Sequence, residues 1–237
     1  MRLPLAALFC LLFSATASAE SSAPTANPYA SNYVSRLSPP AAAGEPRIYR
    51  GVDKEADYQR LLEEGYDLLG YSSFEAADVA PELLTEQARM LHADLALVYT
   101  QRMGRVPASV RLDQAKAAAK VPKDGVVPVS GEQPKFYEYY AAYWTRLPPP
   151  LLGVHVKREE GLAQDARGVQ VIAVIQDSPA AVAGIRRGDS LLRLGDEGLR
   201  ESEALVKAAR RYAGQAVEVE LERDGKTLRQ TVQLRHP

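Results

Sequence analysis

Apolar positions along this chain change their period several times, and each change marks an element. "RIYRGV" at 47–52 alternates briefly and predicts a strand. Asp53 is placed to cap a helix running to Gly65, with Tyr58, Leu61 and Leu62 on one face. "YDLLGYSSF" predicts a second strand. A second helix begins near Pro81 and sets Leu84, Ala88 and Leu91 at i, i+4 and i+7. "ADLALVYTQ" is compact and apolar enough for a buried strand. This β-α-β-α-β order predicts a small α/β layer. Residues 104–134 mix charges and scattered prolines and predict an irregular excursion. "KFYEYYAAYWTRL" is dense in aromatics, which suit a half-buried pleated surface, so a strand returning to the first sheet is predicted, with a short helix as the alternative.

Pro148, Pro149 and Pro150 interrupt the pattern. Proline lacks an N–H and fixes φ, so this run is an extended spacer and a boundary. Beyond it the elements are short and closely spaced. "GVHVKRE" and "VQVIAVIQ" predict strands joined by the loop "REEGLAQDARG". "SPAAVAGI" predicts a short helix ending at Gly184, and "SLLRLGDE" a strand with a glycine turn. "ESEALVKAARRYAG" predicts a helix stopping at Gly214, and "AVEVELERDGKTLRQTVQL" a hairpin turning at Asp224-Gly225.

Composition changes the picture mainly at the start. Arg2 precedes an apolar run from Leu5 to Phe13, too short to span a bilayer, and Ala17-Ser18-Ala19 follows; this predicts a secretory signal over 1–19, cleaved after Ala19. Phe9 before Cys10 disfavours a lipoprotein site. Cleavage would remove Cys10, the only cysteine, leaving a periplasmic or secreted chain without disulfides. No other segment is apolar enough to cross a membrane. Residues 20–46 are rich in Ser, Ala and Pro without apolar period and predict a disordered leader. The 237 residues carry a formal charge of −1, which argues against a nucleic-acid surface.

One constellation carries chemistry. "LLGV" opens a strand; "VIQDSPAAVAGIRRGDSLLRLGDE", a helix and the closing hairpin follow. Together they resemble a PDZ domain, of the kind carried by periplasmic trypsin-like proteases of the HtrA type, over 151–234. Added to the small α/β sandwich that the pattern predicts over 47–146, the resemblance implies a PDZ unit over 151–237, a partly open β-barrel with two helices, and so an α+β fold for the whole. It also implies a peptide site. Leu151, Leu152, Gly153 and Val154 would form the carboxylate-binding loop, and His155-Val156 would begin a strand that pairs with the peptide. Leu151 stands where many such domains have glycine. Leu205, Ala209 and Tyr212, with Val206 and Ala208 beside them, form a helical stripe that either lines the groove or packs on the sheet.

No catalytic, metal or cofactor site is predicted. The serines lack the glycine-rich elbow of a protease nucleophile, and His92, His155 and His236 have no acidic partner at ligand spacing. "LLGYSSF" followed by "EQARMLHADLALVY" loosely resembles small α/β domains of bacterial envelope proteins. Ser72 and Ser73 read as structural, and Tyr137, Tyr139, Tyr140, Tyr143 and Trp144 as core rather than a binding surface. The leading reading is a non-catalytic protein that captures protein or peptide C-termini and extended segments in the envelope, as adaptor or scaffold. Its alternative is a serine-type hydrolase with a divergent N-terminal catalytic domain gated by the PDZ unit. A third reading is structural, with the groove filled by the chain's own tail or a second copy; the oligomeric state is left open.

Overall fold

A computed structural model describes residues 26–41, 44–104, 111–112, 116, 135–157 and 168–237. The expected signal over 1–19, most of the excursion over 104–134 and the loop over 158–167 lie outside these residues. Within them the fold is α+β, in two open sheets.

The first sheet has the order β1-β3-β5-β4-β2, with β1 at Tyr33–Ser35, β2 at Arg47–Arg50, β3 at Tyr66–Ala76, β4 at Leu95–Arg102 and β5 at Tyr137–Arg146. The aromatic run is therefore a strand: β5 sits centrally, antiparallel to both β3 and β4. Strand β2 runs parallel to β4, which requires the crossover that the intervening elements supply. Helix α2, Lys54–Glu63, starts because Asp53 Oδ1 accepts from the amides of Glu55 and Ala56, each at 3.0 Å. Helix α3, Pro81–Met90, begins on Pro81, whose missing N–H would go unpaired at that position anyway.

Each face of this sheet has its own core. Tyr29, Leu69, Leu84, Ala88 and Tyr143 pack on one side; Leu61, Tyr66, Leu97 and Trp144 pack on the other. The tyrosine and tryptophan side chains of β5 are thus mostly core. Ser72 is buried and structural: its hydroxyl donates to Tyr29 O at 2.6 Å and lies 3.2 Å from Tyr143 Oη.

The expectation of a disordered 20–46 needs correction. Residues Pro28–Ser31 form a one-turn helix, α1, and β1 pairs antiparallel with β3. Single anchors hold them: Tyr29 is 3% exposed, its ring set edge-on to Phe74 at 5.0 Å, and Asn27 caps α1 while donating to Leu83 O. A four-residue helix and a three-residue strand contribute one buried side chain or fewer apiece, too few to create a period.

The second sheet has the order β11-β10-β8-β7-β6, with β9 paired to β8. Its strands are β6 at Val154–Val156, β7 at Val169–Val174, β8 at Ser190–Leu194, β9 at Glu197–Gly198, β10 at Ala216–Arg223 and β11 at Lys226–Gln233. The β10–β11 hairpin turns on Asp224 and Gly225, both at positive φ (51° and 71°), the two-residue turn whose twist matches that of the strands. Helix α4, Pro179–Val182, is capped by Ser178, and α5 spans Ser202–Arg211. Asp189, 1% exposed, meets the Arg223 guanidinium through two contacts of 2.7 Å and also accepts from Arg186 N. Arg223 in turn donates to Gly184 O, so this pair pins the loop after α4 to β10. Its strength comes from bidentate geometry in a water-poor setting.

The two units touch through the turn after α2. Gln176 N donates to Glu63 O at 2.8 Å and Leu147 N to Gly65 O at 2.9 Å. The contact brings α2 against the end of β7, beside β6.

Candidate functional site

The three residues before β6 spend all their carbonyls on the body of the fold. Leu151 O accepts from Arg235 N at 3.0 Å, Leu152 O from Ala180 N at 2.9 Å, and Gly153 O from Ile175 N at 2.9 Å. In a trans peptide the N–H of the next residue points opposite to each carbonyl. The amides of Leu152, Gly153 and Val154 therefore face away from the three partners that hold the loop. Among the described residues, no acceptor lies opposite the amides of Leu152 or Gly153. Consecutive outward N–H groups form a nest that suits an anionic oxygen.

Gly153 is what permits this. Its φ of +92° is a conformation side chains resist, and a Cβ there would lie 2.1 Å from Ser178 Cβ. Ser178 fills that space to close the loop: its hydroxyl donates to Gly153 O and accepts from Ala181 N. The Ser-Pro-Ala stretch thus caps α4 and holds the nest at once. Leu152 is buried in the core of the second sheet and Leu151 packs against that core; both support the loop from within.

Strand β6 is the last strand of its sheet and pairs only with β7. Gly153 O and Lys157 N both bond towards β7, the latter to Gln170 O at 2.9 Å. Strand alternation then turns the backbone groups of Val154 and Val156 to the unpaired side. A cavity of about 930 Å³ opens along this edge, lined by Val154, Val156, Ile172, Leu205, Val206 and Arg210 among others.

Helix α5 forms the opposite wall, and not with the whole stripe marked in the sequence. Leu205, Ala208 and Ala209 turn inward to the core; Leu205 alone of these borders the cavity. Tyr212 lies over the β8–β9 turn, where its hydroxyl accepts from Asp196 N at 3.1 Å. Ala209 and Tyr212 therefore stand outside the cavity lining. The groove-facing residues are Glu203, Val206, Lys207 and Arg210, at i, i+3, i+4 and i+7, and Val206 is 50% exposed. Only one apolar side chain sits on that face, so a search for apolar periodicity passes over it. Glu203, Lys207 and Arg210 give this wall of the cavity a mixed charge with one net positive.

His155 points to the other face, because its neighbours Val154 and Val156 pack on the core. Its Nε2 is buried with no hydrogen-bond partner among the described residues. Burial holds its pKa below the ordinary imidazole value; the nearby Asp67 carboxylate and Leu62 carbonyl act against that shift without reversing it. His92 is exposed, with Nδ1 2.9 Å from Pro40 O, and Arg146 lies over the Tyr66 ring, so neither belongs to the cavity. Among the described residues no cluster of histidine, cysteine and carboxylate side chains could hold a metal, and no helix is long and apolar enough to cross a membrane.

An outward nest, an open sheet edge and a facing helix agree with the family comparison, in which the PDZ model matches residues 150–234. Residues 150–234 are a PDZ domain. Solved structures similar to the chain include the PDZ domain of HtrA3 bound to a phage-derived ligand (FGRWV), at 20% identity and TM-score 0.31, covering 36% of this chain and 84% of that one. The serine endoprotease from Yersinia pestis matches at 24% identity and TM-score 0.31, over 39% of this chain and 30% of its own. The HtrA-type protease AlgW with decapeptide matches at 24% and 0.32, over 48% and 41%. The chain thus spans less than half of either protease. No curated protein matches it. The PDZ domain accounts for about a third of the chain, and the first sheet lies outside the match.

Proposed function

We propose that this protein binds extended peptide segments by their free C-terminal carboxylate, with the PDZ domain as the capturing module. The carrying observation is the loop Leu151–Gly153, whose three inward-held carbonyls leave three amides facing out beside the unpaired edge of β6. A peptide's terminal carboxylate accepts those amides, its backbone extends the sheet along Val154 and Val156, and its last side chain enters the space between β6 and α5. Each charge-assisted hydrogen bond contributes about 1.5–3 kcal/mol, which with a small apolar pocket places affinities in the micromolar range. The protein acts without catalysis, as an adaptor or scaffold in envelope protein quality control, after export through its N-terminal signal.

The test is fluorescence anisotropy with labelled peptides ending in valine, as free acids and as C-terminal amides. Amidation is expected to weaken binding at least tenfold. Equal affinity of the two forms would overturn carboxylate capture.

A further inference from the structure

The cavity has a third wall, and it comes from outside the PDZ domain. Arg36 and Leu37 follow β1, Leu62 lies in the last turn of α2, Asp67 and Leu68 lie near the start of β3, and Leu147 precedes the prolines; all line the cavity with β6 and α5. Backbone bonds fix this wall: Arg36 N and Leu37 N donate to Leu69 O, Leu147 N to Gly65 O, and Gln176 N crosses to Glu63 O. The first unit is therefore seated against the groove.

A strand added to β6 has a defined relation to that wall. With its carboxylate on the nest and its backbone bonded to Val154 and Val156, its second-to-last residue lies directly opposite His155. Such non-hydrogen-bonded pairs bring their Cβ atoms to about 4.5–5.5 Å on the same face of the sheet. His155 faces the first unit, next to Leu62 and Asp67. The last side chain goes to α5; the one before it goes to the wall. Leu62 and Leu68 offer apolar surface there, and the Asp67 carboxylate, anchored by Leu68 N at 2.9 Å, repels an anion.

We propose that the peptide site is composite: Leu62, Asp67 and Leu68 of the first unit, with His155, form a subsite for the ligand's penultimate side chain that selects large apolar groups and rejects acidic ones. This rests on the carboxylate-binding reading above. It gives the first unit a role in choosing ligands.

Five-residue free-acid peptides ending Leu-Val, Ala-Val and Asp-Val, titrated by calorimetry against the full chain, test it. The native protein is expected to favour Leu-Val over Ala-Val about fivefold, with Asp-Val weakest. Leu68→Ala should bring Leu-Val and Ala-Val close to parity. Asp67→Asn, nearly isosteric, should strengthen Asp-Val several-fold relative to Ala-Val, with thermal unfolding confirming that both variants fold. Affinities independent of the penultimate residue, or a preference that survives both variants, would overturn the subsite while leaving carboxylate capture standing. Absence of binding by every free-acid peptide would overturn the carboxylate reading and the subsite with it.

Discussion

The two sheets treat their polar groups differently. In the first, tyrosines inside the fold find partners: Tyr58 and Tyr140 hydroxyls lie 2.8 Å apart, Tyr143 meets Ser72, and Tyr33 donates to Leu69 O. Burial there pushes the Tyr29 phenol up to about 12, as expected for a group kept neutral in the core. The exception is the indole Nε1 of Trp144, buried without a partner among the described residues and set edge-on to Tyr58. In the second sheet, the amides of Leu152 and Gly153, just before β6, have no backbone acceptor among the described residues. Buried polar groups left unpaired cost free energy, so two adjacent unpaired donors fit the carboxylate-binding role proposed above.

Changes to either side of that contrast have ranked consequences. The largest is at the ion pair that pins the loop after α4 to β10. Asp189→Ala leaves Arg223 without its carboxylate and should cost about 3 kcal/mol in urea unfolding. An unchanged midpoint would mean that the pair does not hold the loop. Next is Gly153→Val, which places a Cβ against Ser178 at positive φ. It should cost about 1–2 kcal/mol of stability and remove carboxylate-dependent peptide binding. Ser178→Ala removes the α4 cap and a support of the nest; about 1 kcal/mol is expected, with weakened peptide binding. Val206→Ala trims the groove wall at an exposed position. It should lower peptide affinity about threefold while leaving thermal unfolding unmoved.

The smallest effect is on pH. The folded His155 resists protonation, whereas in the unfolded chain it takes up a proton near pH 6.5. The unfolded state then binds more protons below that value, so His155 lowers stability as pH falls through it and has no effect above. Comparing native protein with His155→Gln between pH 7.5 and 5.5 should show the steeper loss in the native chain. Parallel curves would contradict the burial of this side chain between the units.

The elements that could be seen in advance are those with a period or a turn signature. Helices α2 and α3 announce themselves through Asp53, Pro81 and spaced leucines, and the last hairpin through Asp224-Gly225. The bend before β6 shows in the sequence as Gly153 between apolar residues just ahead of a strand, but its reading as a carboxylate loop rests on the resemblance to PDZ domains. Strand β1 and helix α1 were not legible, since Tyr29 anchors them through a contact made only after β3 and β5 are in place. The groove face of α5 was hidden for a related reason: Glu203, Lys207 and Arg210 look like solvated charge until the cavity is known to lie beside them. The third wall was hidden too, because Leu62 and Leu68 fit ordinary helix and strand patterns and meet β6 only through the seating of the two units.

The most direct measurement follows the amide resonances of Leu152, Gly153 and Val154 by NMR while a free-acid peptide is added. Carboxylate capture predicts downfield proton shifts at all three, saturating together, with little change when the amidated peptide is used. Shifts confined to other parts of the chain, or equal responses to both peptides, would contradict it.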